Sequence, residues 1–156
     1  MAKVQSKYVM VGDIKTHYLE AGEGFPVILL HSGEFGGCAE LSWEYNIEAL
    51  GEHFHVYAPD WLGFGKTDKV FDFNRMYDRR IEHIRDFMKV LSIEKAHFVG
   101  NSMGGTVLIK EAAREEPRWN MEKIVVVCGG GHIPENEARQ ILNTYDGTRE
   151  HMRKIV

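Results

Sequence analysis

Ser102 lies in the stretch FVGNSMGGTVLIKEAA, residues 98 to 113, where an apolar strand-like run passes through tightly spaced glycines into a helix-like run. A serine hydroxyl is a weak nucleophile until a base takes its proton, so its placement must be read together with what surrounds it. The pattern Gly100-x-Ser102-x-Gly104 between a strand and a helix lets the backbone turn sharply enough to push the hydroxyl out at the carboxyl end of the strand. The amide of Met103 then faces a developing oxyanion from the helix N-terminus. A second oxyanion donor is sought in the loop after the third strand. There the chain reads HSGEFGG from His31 to Gly37, with three glycines in five positions, and Gly33 is the candidate donor.

Other residues near these stretches read as supports. His31 is expected to be a buried packing and hydrogen-bonding residue rather than the base. Asp60, at the end of its strand, reads as a loop-fixing carboxylate. The GKT of DWLGFGKT resembles the end of a phosphate-binding loop, but Asp60 occupies the position of the required first glycine and no helix signal follows Thr67 directly, so nucleotide binding is rejected. His53 and His55 lack a third ligand placed by the sequence and read as satisfied surface or edge histidines, which leaves no metal site. DRRIEHIRD, residues 78 to 86, mixes both signs and reads as a solvated helix face.

The elements that position these residues alternate. Ser6 to Val11 and Ile14 to Glu20 flank Gly12-Asp13 and read as an antiparallel edge hairpin. The run from Pro26 to His31 reads as a strand covered on both faces. A helix is expected over Leu41 to Leu50, a strand over His55 to Pro59, and a helix where Tyr77, Ile81, Ile84, Met88 and Leu91 recur at spacings of three and four. Strand His97 to Val99, helix Met103 to Glu115 and strand Lys123 to Val127 follow. This order implies parallel crossovers in an α/β sheet.

The tail breaks the alternation. After Gly129-Gly130-Gly131, two helix-like stretches follow without a strand between them, the first over Pro134 to Tyr145 and the second beginning near Thr148. Residues 1–131 are therefore expected to form a core and 132–156 the start of a helical lid. His132, His151, Glu135 and Asp146 all precede any seventh strand and are poor candidates for base and acid.

With 156 residues, 44% of them apolar and 27% charged, the chain suits one globular domain. Its formal charge of −4 has no block of like charges behind it. No nucleic-acid or membrane partner is expected, and a small-molecule substrate is. The start lacks an apolar leader and no stretch reaches the length of a membrane span, so a cytoplasmic protein is expected. Cys38 and Cys128 read as two reduced thiols.

HSGEFGG, APDWLGFGKTD and GNSMGG together resemble the oxyanion loop, the stretch after strand four and the nucleophile elbow of the α/β-hydrolase fold enzymes, a likeness covering essentially the whole chain. It implies a mostly parallel sheet with an antiparallel amino-terminal hairpin, truncated here after strand six and the start of the lid. Asn101, SMGG, SWEYN at 42 to 46 and the YDGTREHMRKIV ending resemble the meta-cleavage-product hydrolases, which cut a carbon–carbon bond in ring-fission products of aromatic catabolism. Carboxylesterase or lactonase activity is the alternative within the fold, and a noncatalytic binding or assembly polypeptide the alternative outside it.

Residue by residue, the resemblance implies Ser102 as nucleophile, Gly33 and Met103 as oxyanion donors, and Asn101 and Ser42 at the polar end of the substrate pocket. Supporting the elbow by hydrogen bonding is the alternative role for Asn101, and belonging to a helix start is the alternative for Ser42. Ser32 departs from the usual glycine after the loop histidine, and Glu34 follows Gly33, adding a hydroxyl and a carboxylate beside the oxyanion site. No cofactor is implied, because the amide pair supplies the electrophilic help. The acid and base of a triad in this fold follow the serine on loops after later strands. They are expected outside this chain, which points to a homo-oligomer or a complementing carboxyl-terminal segment as partner.

Overall fold

The computed structural model describes residues 2–130. Six strands, β1 (Gln5–Val11), β2 (Ile14–Ala21), β3 (Pro26–Leu30), β4 (His55–Pro59), β5 (Ala96–Asn101) and β6 (Met121–Val127), form one sheet in the order β1-β2-β4-β3-β5-β6. The two-residue turn at Gly12-Asp13, with Gly12 at φ +59°, closes the expected hairpin in the register Val11 opposite Ile14. β1 and β2 are antiparallel to each other, and β2 is antiparallel to β4. From β4 onward every pairing is parallel. Among the described residues β6 pairs with β5 alone, and Ile124, Val125 and Val127 are exposed there. The lid expected over 132–156 lies outside the described residues, as do His132, His151, Glu135 and Asp146.

The sheet separates two apolar layers because successive strand residues point to opposite faces. Ile28 and Leu30 of β3 join Tyr18, Phe98, Ile81, Ile84, Phe87 and Leu108 on one face. Val27 and Leu29 join Leu19, Val56, Ala58, Trp43 and Ile47 on the other. Helices α3 (Met76–Val90) and α4 (Met103–Ala112) cover the first face. The second is covered by α1 (Ala39–Trp43) and α2 (Ile47–Gly51).

That pair corrects the single helix expected over Leu41 to Leu50. Asn46, a residue that favours caps over helix interiors, stands at the N-cap of α2 and the chain turns through Glu44 and Tyr45. Trp43 and Ile47 still reach the same core, so the apolar spacing survives the interruption.

The solvated face expected over residues 78–86 is also corrected. His83 is 4% exposed, because the amino-terminal hairpin packs across α3 and brings Thr16 Oγ1 within 2.8 Å of His83 Nε2. Burial pushes the imidazole down from 6.5 to about 4, against an upward pull from Asp86 and with a smaller downward push from Arg79. A histidine held neutral in the folded state gives stability that is complete above pH 6.5 and is lost as pH falls towards 4, since the unfolded chain takes up the proton first. The loss across that window is about 3 kcal/mol. Urea unfolding of the wild type and His83→Leu at pH 7 and pH 4.5 is expected to show the variant losing about 2 kcal/mol less than the wild type on acidification. Parallel acid losses in both proteins would contradict this.

Candidate active site

Ser102 connects β5 to α4 with φ 51° and ψ −108°, a backbone conformation that non-glycine residues rarely adopt. Its amide donates to Val127 O at 2.8 Å and its carbonyl accepts from Thr106 N at 2.9 Å, so β6 and the first helical turn both hold the bend. Ser102 occupies the N-cap of α4 but its side chain makes no capping hydrogen bond, and the residue is exposed. The hydroxyl is thereby not used by the helix cap at the carboxyl end of β5.

The flanking glycines are required by close approach. A Cβ at Gly104 would lie 2.3 Å from Leu30 O of β3, and one at Gly100 would lie 2.5 Å from the carbonyl carbon of Gly104. Both are distances at which backbone must move, so the glycines set how deeply α4 sits on the sheet and where Ser102 projects.

The 31–37 loop comes to the same place. A Cβ at Gly33 would meet Met103 Sδ at 2.8 Å and Met103 Cβ at 3.1 Å. The structure thus brings together Gly33, Ser102 and Met103, the first residue of α4. Asn101 ends β5 immediately before the bend and is half-buried. Ser32 is buried beside Gly33, and its hydroxyl hydrogen-bonds the exposed Glu34 carboxylate, which holds that carboxyl below its usual range. Ser42 is less closely associated. It lies on α1, half-buried, with its amide bonded to Cys38 O at 3.1 Å in the helix.

His31 is fully buried and burial lowers its pKa. The Trp61 amide donates to Nε2 at 3.0 Å, so Nδ1 carries the proton and donates to Ser32 O at 2.6 Å. Both ring nitrogens are occupied in holding the loop. This is the supporting role expected of His31, and it leaves no lone pair for Ser102.

Asp60 anchors the site from below at 1% exposure. Its carboxylate accepts from Ala39 N at 2.8 Å and Lys66 N at 2.8 Å, and lies 2.7 Å from His17 Nδ1. Burial pushes the carboxyl up, but the His17 contact and the two amides outweigh it and hold the pKa below 3.8. One side chain therefore ties the loop after β4 to the start of α1 and to β2. Asp60, in the position where a phosphate-binding loop needs its first glycine, fills this role instead.

His55 pairs with Glu20 at 2.8 Å and stacks on Tyr57, as expected of a satisfied edge histidine. Among the described residues no group of three or more His, Cys, Asp or Glu is arranged to hold a metal ion, and no helix is long and apolar enough to cross a membrane. Cys38 and Cys128 are free thiols.

Arg80 was not legible as a site residue. Its Nε donates to Leu62 O at 3.2 Å, its guanidinium lies 4.9 Å from the centroid of the Phe64 ring, and Nη1 is 3.6 Å from Met103 Sδ. A mixed-charge run on a helix carries no signal that one cation in it turns inward.

Comparison with known proteins agrees with this fold. A family model described as the alpha/beta hydrolase fold matches residues 26–154. The 2-hydroxy-6-oxo-6-(2'-aminophenyl)hexa-2,4-dienoic acid hydrolase of Metapseudomonas resinovorans is 40% identical over 153 residues, covering 96% of this chain and 51% of that protein. The 2-hydroxy-6-oxo-2,4-heptadienoate hydrolase of Pseudomonas putida is 31% identical over 151 residues, covering 96% of this chain and 54% of that one. Among solved structures, a serine hydrolase involved in carbazole degradation superimposes with a TM-score of 0.73 at 36% identity, over 98% of this chain and 55% of that one. The 2-hydroxy-6-oxo-6-phenylhexa-2,4-dienoate hydrolase of Rhodococcus sp. strain RHA1 gives 0.75 at 28% identity, over 100% and 58%. The chain spans about half the length of the curated relatives it matches. A parallel sheet entered through an antiparallel hairpin, a strained serine between strand and helix, and a family match over most of the sequence have one reading: the chain belongs to the α/β-hydrolase fold family.

Proposed function

We propose that this chain carries the nucleophile and oxyanion half of a hydrolase that cleaves a carbon–carbon bond in 2-hydroxy-6-oxo-dienoates. The observation that carries the reading is Ser102, exposed at φ 51° with its hydroxyl unused in capping and Met103 packed against Gly33. Strain of this kind persists only where surrounding structure imposes it, and here it aims a hydroxyl. The relatives whose names specify dienoate substrates support the substrate class.

In this reading the dienol first becomes the keto form, which makes the carbon fragment able to leave. Ser102, or a water it assists, attacks the C6 ketone, and the amides of Gly33 and Met103 hold the oxyanion. Cleavage of the C5–C6 bond passes the electron pair through the conjugated enone to the C2 oxygen, which takes a proton. Water supplies the remaining atoms, leaving a hydroxydienoate and a carboxylic acid. Ser32, Ser42 and Asn101 line the polar end of the pocket. Exposed Phe35 on the 31–37 loop and the Phe71–Phe73 pair, with ring centroids 4.8 Å apart, offer apolar surface on the loops after β3 and β4. The triad acid and base come from sequence after β6.

The test is a side-by-side assay of a 2-hydroxy-6-oxo-6-aryl-dienoate and p-nitrophenyl acetate, using this chain completed by the carboxyl-terminal half of a relative. The dienoate is expected to have the higher kcat/KM by at least tenfold. A reversed order would favour a carboxylesterase or lactonase, for which the Ser32 and Glu34 departures already provide a specific reason.

A further inference from the structure

Arg80 stands apart from the other arginines around it. Arg75, Arg79, Arg85 and Arg118 each meet a carboxylate, at 3.0 Å from Glu82, 3.8 Å from Asp72, 2.9 Å from Asp86 and 2.8 Å from Glu111. Among the described residues Arg80 meets none. It is half-buried, and it spends its guanidinium on a carbonyl, an aromatic face and a thioether. A cation taken partly out of water without a counter-charge is unfavourable for stability, so packing alone gives no reason to keep it there.

Its contacts converge on the oxyanion elements. Leu62 and Phe64 belong to the loop anchored by Asp60 through Lys66 N, and Phe64 packs edge-on against His31 with centroids 5.5 Å apart. Met103 Sδ, touched by Nη1, lies where a side chain at Gly33 would clash. The Met103 thioether is therefore held between Arg80 on one side and the Gly33 backbone on the other. We propose that Arg80 is a positioning residue for the oxyanion site: it fixes the Met103 side chain against Gly33 and sets a positive charge behind the two amides. Burial is the main cause that lowers the His31 pKa, and Arg80 adds to it while the Ser32 carbonyl, Asp60 and Glu34 pull the other way. An oxyanion forming at the amides of Gly33 and Met103 would gain from the same field, whereas a neutral ground-state ketone or ester would gain little.

This role rests on the assignment of Ser102 as nucleophile, and the test separates the two. The completed hydrolase is assayed on p-nitrophenyl acetate, a neutral ester, as wild type, Arg80→Lys, Arg80→Met and Ser102→Ala. Arg80→Met keeps an unbranched stem against Phe64 but removes the charge. It is expected to lower kcat about tenfold with KM within about twofold. Arg80→Lys, which keeps the charge but loses the planar fork, is expected to recover kcat to within about threefold of wild type. Spectra of 13C-methyl-labelled methionine are recorded in parallel. They are expected to show the Met103 methyl signal displaced in Arg80→Met while the other assigned methionines stay in place, which also confirms that the variant is folded. Equal kcat in wild type and folded Arg80→Met, or a loss that Arg80→Lys does not relieve, would overturn the role of Arg80 while leaving Ser102 in place. Wild-type turnover no faster than that of Ser102→Ala would overturn the Ser102 assignment and the role of Arg80 with it.

Discussion

Ser102→Ala and Ser102→Gly are expected to be equally inactive in the completed hydrolase and unequal in stability. Removing the hydroxyl takes away the group whose proton transfer and attack the rest of the site serves, so kcat should fall by about 10³-fold or more on any substrate. The residual rate then reflects binding and the two oxyanion amides. Stability separates the variants because alanine must still adopt φ 51°, whereas glycine takes that conformation without steric cost. Ser102→Gly should therefore exceed Ser102→Ala by about 1 kcal/mol in urea unfolding. Turnover assays and denaturation curves on the same preparations check both halves. An active Ser102→Gly, or one less stable than Ser102→Ala, would contradict the picture of a strained, functional elbow.

Asp60→Ala is expected to be the most destabilising single change in the site region. It would leave the amides of Ala39 and Lys66 and the His17 ring without their shared acceptor in a buried setting. The expected loss is about 3–5 kcal/mol, the range for removing one member of a buried charged network. Asp60→Asn keeps the shape and should lose about half as much. The pH dependence has a definite sign. The folded-state carboxyl titrates below 3.8, so its contribution is complete above the unfolded value and is lost as pH falls through the folded one. Chemical denaturation at pH 7 and pH 3 would show the wild type losing stability that Asp60→Asn has already lost. A cost below 1 kcal/mol for Asp60→Ala would mean that the loop after β4, the start of α1 and β2 are held together by other contacts.

The difference between what was legible and what was not follows sequence distance. The turn at Ser102 could be read because its serine and flanking glycines lie between Gly100 and Gly105, although Val127 of β6 and Leu30 of β3 also hold it, and the 31–37 loop because its glycines follow directly on β3. The hairpin was set by Gly12-Asp13 in the same local way. Asp60 was readable as loop-fixing but not as the link among β2, α1 and the loop after β4, since His17 and Ala39 are distant in sequence. His83 and Arg80 were missed for a related reason. Their polar neighbours on α3 suggested a solvated face, and only the packing of the hairpin, through Thr16, over His83 and of Met103 beside Arg80 removes them from it. The break between α1 and α2 was hidden because Trp43 and Ile47 keep helical spacing across the Asn46 cap.

Ser102 as the nucleophile is the claim on which the other functional assignments depend, and covalent capture tests it most directly. The completed hydrolase is incubated with an alkyl fluorophosphonate, digested and mapped by mass spectrometry. A phosphonyl adduct is expected on the peptide containing Ser102, with none elsewhere and none in Ser102→Ala. An adduct on another residue, or an unmodified Ser102 in an enzyme that still turns over its dienoate, would contradict it.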